Sequence, residues 1–208
     1  MKMTFRAGAP VALAAAIGLA LFAAAPQARA DTDPAAAQID ALDNALIGVM
    51  KQGHALGAQG RARKLTPAME QAFNFTVMTR FAVGPAWTTM SDADHTALIA
   101  AFTRYSAASY AHNFDAYTGE KFVVDPNVVT RGLDKVVVTQ LIPGHGETVV
   151  IDYRMRNDGG TWKIIDVLFK GTISQLSTRR SDFAATAATG GASALIAHMD
   201  AQTEKLLK

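Results

Sequence analysis

The 208-residue sequence contains no cysteine. Disulfides are therefore excluded, as are thiolate metal ligands and a lipidated N-terminal cysteine. The five histidines stand at 54, 95, 112, 145 and 198. No two of them are four residues apart on a helix, so no metal set is expected. A Gly-x-Ser-x-Gly elbow is also missing, and nothing nominates a serine nucleophile. Gly144-His145-Gly146 joins strand to strand rather than strand to helix, so it cannot act as a nucleotide phosphate loop. The chain shows no internal repeat, low-complexity tract or linker. These absences leave no constellation for an enzyme built on a metal, a nucleotide or a serine elbow, and no cofactor is expected.

What is present begins with a leader. Lys2 and Arg6 form a basic start, Val11 to Ala25 an apolar core, and Ala28-Arg29-Ala30 a small-x-small cleavage pattern. The apolar stretch is short for a membrane span, so export with cleavage after Ala30 is expected, an uncleaved anchor being the alternative. Residues 31–208 are then expected to form one domain. The formal net charge of +2 describes the precursor. Without the three basic residues of the leader, 17 basic residues face 18 acidic ones, which gives no basis for nucleic-acid binding.

Helical periodicity opens the mature chain. Pro34 sits at a first helical position, with Ile39, Leu42, Leu46, Val49 and Met50 on one stripe up to Gly53. Residues 54–60 read as a loop, with a short helix possible over Arg61 to Leu65 and Thr66-Pro67 as a fresh start. The segment from Pro67 to Gly84 reads as two short helices with a kink near Asn74. Ser91 and Asp94 resemble a capping box for the longest helix, whose stripe runs through Leu98, Ala101, Phe102, Tyr105 and Ser109 towards Tyr117. Strands follow at Lys121 to Asp125 and Lys135 to Ile142. After a hairpin, two helices punctuated by Gly190-Gly191 close the chain. Helices flanking an antiparallel four-stranded meander predict an α+β fold.

The hairpin is the best-determined element. ETVVIDYRMR and TWKIIDVLF alternate in polarity around NDGG. A loop centred on Asp158-Gly159 pairs Arg156 with Thr161. Val149, Ile151, Tyr153 and Met155 then share a face with Trp162, Ile164, Asp166 and Leu168, while Ile165, Val167 and Phe169 fall on the charged face. In that register Asp166 is a lone acid on an apolar face. It is either a general base of raised pKa, as in a cone-shaped isomerase, or a carboxylate held by an arginine or by backbone donors. Arg179, Arg180 and Asp182 read first as a solvated helix face and second as an anion contact.

Several spaced motifs taken together resemble one family. They are Phe73-Asn74-Phe75-x-x-Met78-x-Arg80, Gly84-x-x-Trp87, Tyr117-x-Gly119-Glu120, the hairpin residues Asp152 to Arg156 and Asp158 to Val167, Gly171-Thr172-Ile173-Ser174, and Arg180-Ser181-Asp182-Phe183. Their order from about residue 35 to 200 resembles the MlaC, or toluene-tolerance, family. AVGPAW, YTGEKF and GTISQLSTRRSDF are most similar to its hopanoid-biosynthesis-associated HpnM branch.

The resemblance implies a periplasmic lipid carrier rather than an enzyme. It implies helices on a twisted antiparallel sheet, in an NTF2-like cone, enclosing an apolar cavity for phospholipid or hopanoid. It further implies an inner-membrane ABC-type lipid transporter and an outer-membrane lipoprotein complex as partners, and a monomeric state. Candidate wall residues are Phe75, Phe81, Trp87, Phe102, Tyr105 and Tyr110 from the helices, and Val138, Ile151, Tyr153, Ile164 and Leu168 from the sheet. For each of these, plain core packing is at least an equal reading, and a non-binding periplasmic adaptor with a filled core is the alternative function. Arg154, Arg156 and Arg179 are candidates for a headgroup phosphate at the rim.

Overall fold

Asp33 starts the first helix by accepting a hydrogen bond from the Ala35 amide at 2.8 Å, with Pro34 at a position that needs no donor. The structure, a computed structural model, describes residues 32–208. The expected leader and its cleavage site lie outside the described residues. Helix α1 spans Pro34–Met50 and buries Ile39, Leu42, Leu46 and Val49.

Helix α2, Gly53–Ala72, runs through the expected loop at 54–60. The interruption shrinks to Gly57, whose φ of 61° is accessible to glycine at little cost. Pro67 likewise sits inside α2 instead of starting a helix. Flanking Leu65 and Met69 are fully buried, and this packing keeps the helix continuous across the one hydrogen bond that proline removes. Buried Arg61 donates to the carbonyls of Gly53 and Ala111, both at 2.9 Å, and so ties α2 to the last turn of the helix that closes at Asn113.

Asn74 breaks the next segment as expected and caps helix α3, Phe75–Val83, by accepting from the Val77 amide at 2.9 Å. A 3-10 turn at Gly84–Thr89 follows. Helix α4, Asp92–Asn113, opens with the Ser91/Asp94 capping box and stops four residues short of Tyr117.

Among the described residues the sheet has six antiparallel strands: β1 Lys121–Val124, β2 Val129–Arg131, β3 Asp134–Ile142, β4 Val149–Asp158, β5 Thr161–Phe169 and β6 Ile173–Ser174. Their order is β1-β3-β4-β5-β6, with β2 also on β3. The two strands beyond the expected four are three and two residues long, too short for alternation to be read. Helix α5, Gln175–Leu206, bends at Gly191, where φ is 62°. Helices α1, α2, α3 and α5 pack against the sheet. None of the described helices is long and apolar enough to cross a membrane.

The β4–β5 register differs from the expected one. Gly159 and Gly160 both take positive φ, 58° and 96°, and form a two-residue turn that pairs Asp158 with Thr161. Met155 then pairs with Ile164, but Arg154 pairs with Asp166, so Ile165 is the extra residue of a β-bulge. A one-residue slip exchanges the two faces. Beyond the bulge, Val167 and Phe169 therefore join Ile151 and Tyr153 on the inner face, while Asp166 and Leu168 move to the outer one. The α2–α3 junction is pinned to this strand: Phe73 forms a parallel bridge to Ile164, and the Asn74 amide donates to the Ile164 carbonyl at 2.9 Å.

Candidate functional site

A cavity of about 450 Å³ lies between α4 and the inner face of the sheet. One stripe of α4 supplies Phe102, Tyr105, Ser106, Ser109, Tyr110, Asn113 and Phe114, a spacing of three and four residues that keeps them on one side of the helix. The opposite wall is Leu141 of β3, Val149, Ile151 and Tyr153 of β4, and Val167 and Phe169 of β5. The α2–α3 junction adds Phe73, Phe75 and Met78, and the first turns of α5 add Gln175, Leu176 and Arg179. Aromatic contacts consolidate one end. Phe73 stacks on Phe75 with centroids 5.5 Å apart and meets Tyr110 edge-on at 5.7 Å, while Tyr110 touches Phe114 at 5.7 Å.

Polarity is concentrated where the cavity opens. Asn113 and Phe169 are exposed, and Arg179 is partly so. The Arg179 guanidinium lies 4.6 Å over the Tyr105 ring, donates to Ser109 Oγ at 3.5 Å, and is 3.8 Å from Asp182. Its tie to Asp182 is loose, so the guanidinium keeps donors for an anion at the mouth. Burial raises the Tyr105 phenol above its ordinary pKa despite that neighbouring cation.

The inner end has a different chemistry. Tyr153 is 1% exposed, and the accessible part of Tyr110 faces the cavity. Behind them on α1 lies Asp43, whose carboxyl burial, with a smaller contribution from Asp40, pushes its pKa up to about 8. Burial also raises both phenols, and the proximity of Asp43 raises them further.

The structure brings seven of the candidate residues together at the cavity: Phe75, Phe102, Tyr105, Tyr110, Ile151, Tyr153 and Arg179. The other seven lie elsewhere. Ile164 is fully buried under Phe73. Phe81 is 44% exposed beneath Arg180, and Trp87 stacks on His95 at 3.9 Å. Val138 and Leu168 occupy the outer face, Val138 by strand alternation and Leu168 through the bulge. Arg154 and Arg156, expected at a headgroup rim, instead clamp Asp134 on the outer face, with Nε to carboxylate distances of 2.7 and 2.6 Å.

Asp166 lies on the outer face rather than the inner one, and of its two readings the one found is the carboxylate held by backbone donors. Far from standing alone on an apolar face, its oxygens accept from Ser174 Oγ at 2.6 Å and from the Val167 and Leu176 amides at 2.8 and 3.1 Å. It anchors the start of α5 to β5. Residues that sequence reasoning passed over include Ser106, Asn113 and Phe114, which continue the α4 stripe already recognised. Val167 and Phe169 were hidden by the register, and Leu141, Val149, Gln175 and Leu176 by their unremarkable types. Phe73 and Met78 stood in a quoted motif. Among the described residues no group of three His, Asp or Glu is placed to hold a metal ion.

No curated protein matches the chain. Among solved structures it is similar to a phospholipid-binding protein from Ralstonia solanacearum, solved in complex with a phospholipid. The TM-score is 0.69 at 21% identity, covering 84% of this chain and 99% of that one. The likeness extends over the helices and the antiparallel sheet, and establishes the fold. The sequence profile described as MlaC protein matches residues 40–201. That span contains every wall of the cavity, and the chain belongs to the MlaC family.

Proposed function

We propose that this protein is a periplasmic lipid carrier that holds the apolar tails of a phospholipid between α4 and the sheet, with the headgroup at the mouth beside Arg179. The observation that carries this reading is an aromatic and aliphatic cavity with one cation at its opening, in a chain of the MlaC family. Its volume of about 450 Å³ falls within the range of ligand pockets, roughly 300–1,000 Å³. The physical need is large. Each methylene moved into water costs about 0.8 kcal/mol, so a lipid with about thirty of them meets a barrier on the order of 20 kcal/mol without an escort.

In this reading the carrier passes lipid between an inner-membrane ABC-type transporter and an outer-membrane lipoprotein complex. The solved relative, bound to a phospholipid, supports tails as the cargo of this fold. A hopanoid is the second cargo, favoured by the aromatic cluster of Phe73, Phe75 and Tyr110 at the inner end. Native mass spectrometry with organic extraction of protein purified from its own periplasm tests both. A co-purifying phospholipid is expected, and a polycyclic lipid would shift the cargo to the second class. Protein that carries no lipid under these conditions sinks the carrier reading.

A further inference from the structure

The mouth of the cavity is bordered by apolar side chains that stand in water. Phe169 and Ile173 are direct partners in the β5–β6 pair and so share the inner face of the sheet. Phe169 lines the cavity, and both are exposed, Ile173 by 49%. From the helical side, Met78 of α3 lines the cavity, and exposed Phe81 follows one turn later. Ile173 and Phe81 belong neither to the cavity wall nor to the core. Cations accompany these residues. The Lys170 ammonium lies 5.8 Å over the Phe169 ring. Arg180, next in sequence to the mouth residue Arg179, holds its guanidinium 5.1 Å over Phe81. Among the described residues Lys170 and Arg180 form no ion pair, while Arg179 has Asp182 at 3.8 Å. Three cations therefore gather around one opening, in a mature chain with 17 basic and 18 acidic residues. Lys170 also takes a left-handed φ of 53°, where glycine or asparagine would sit more easily, so the turn itself does not call for a lysine.

We propose that this rim docks the protein, mouth first, on the surface of an anionic phospholipid bilayer. The inference rests on the lipid-carrier reading and adds the surface at which cargo is exchanged. An exposed ring with a cation above it matches the bilayer interface, where the ring reaches the acyl boundary and the cation stays at the depth of the phosphates. Lysine and arginine held near an anionic leaflet are attracted to it, so the charge of the rim is complementary to that surface. A protein partner is the poorer match, because the apolar residues border an opening instead of forming one packed patch. Docked in this way, the cavity faces lipid, and tails enter or leave without exposure to water.

Because the chain has no cysteine, the full mature protein accepts a single environment-sensitive fluorophore at an introduced one. The label is placed at Ile173→Cys on the rim, or at Leu133→Cys, which is 83% exposed between β2 and β3. The vesicles are phosphatidylcholine alone or phosphatidylcholine mixed with phosphatidylglycerol. With the anionic vesicles the label at 173 is expected to shift to the blue while the label at 133 stays in water. Cosedimentation of the unlabelled protein is expected to be more than about tenfold stronger with anionic vesicles, and to weaken with salt. Lys170→Asn, which tolerates the left-handed turn, and Arg180→Gln should each lower it about fivefold, the worth of one cation near such a surface. Arg131→Gln on the outer face should leave it unchanged. Equal blue shifts at both labels, or an equal fall with Arg131→Gln, overturn the rim as the docking surface. Protein that carries lipid but binds no vesicle overturns the docking, leaves the carrier reading standing and turns the rim over to a protein partner. Protein that binds vesicles yet holds no lipid, as purified or after incubation with them, overturns the carrier reading and keeps the docking.

Discussion

Asp43 and Asp134 are both almost wholly buried, at 4% and 2% exposure, and they lie on opposite sides of the same sheet. On the outer face Asp134 accepts from Arg156 and Arg154, which hold its pKa below the ordinary carboxylate value. On the inner side Asp43 has no partner among the described residues and is pushed up to about 8. The sheet thus separates a charged, satisfied surface from an interior where an acid stays neutral near pH 7. Burial alone does not set the behaviour of a carboxyl; what else is buried with it does.

The sharpest way to break this contrast is through pH. Folded Asp43 keeps a proton that the unfolded chain releases near 3.8, so the native state binds more protons between that pH and about 8. Stability contributed by this group is therefore full in acid and falls as pH rises through the window, by up to about 1.4 kcal/mol per unit. Asp43→Asn should flatten that slope in urea unfolding followed across pH. A wild-type curve without the slope would show that Asp43 is ionised and partnered.

Next in size is the contrast between the two faces on either side of the bulge. Ile164→Ala on the inner face should cost about 3 kcal/mol in denaturant unfolding, whereas Leu168→Ala on the outer face should cost about 1 kcal/mol. Equal costs would mean that Leu168 faces the core and that the bulge at Ile165 is misplaced.

Asp134→Ala should cost about 1–2 kcal/mol at neutral pH. The figure is kept small because Arg154 and Arg156 are about half exposed and regain water. The sign is opposite to that of Asp43. A depressed carboxylate stabilises above its unfolded pKa and loses that effect as pH falls through its folded value, so wild type and variant should converge in acid. The smallest effect is expected at the mouth: Arg179→Gln should weaken retention of an anionic phospholipid about fivefold, with the loss reduced at high salt.

Much of the scaffold was legible because it rests on local chemistry. Pro34 and the Ser91/Asp94 box fixed two helix starts, and Asn74 fixed a break. The α4 stripe placed Phe102, Tyr105 and Ser109 on one face, and all three line the cavity. The sheet face was less legible because the bulge leaves almost no compositional mark. Ile164 and Ile165 are adjacent, both apolar and both buried, and that break in alternation is its one trace. Everything beyond it was assigned to the wrong side, including Val167, Phe169, Leu168 and Asp166. Arg154 and Arg156 could not be placed either, because their partner Asp134 lies two strands' length away in sequence, at the start of β3. Helix α2 defeated the reading for another reason: Pro67 is a strong local breaker that the burial of Leu65 and Met69 outweighs, whereas Gly57 does interrupt the helix but at one residue instead of a whole loop.

Asp166 carries one more consequence. By gripping Ser174 and the Leu176 amide, it bolts the first turn of α5 to β5, and Arg179 stands one turn further along. The opening therefore has a fixed frame, with a strand as one jamb and a helix as the other. A cargo that bends at every carbon can thread such a doorway end first, while a fused-ring cargo of equal volume has to find it already wide enough.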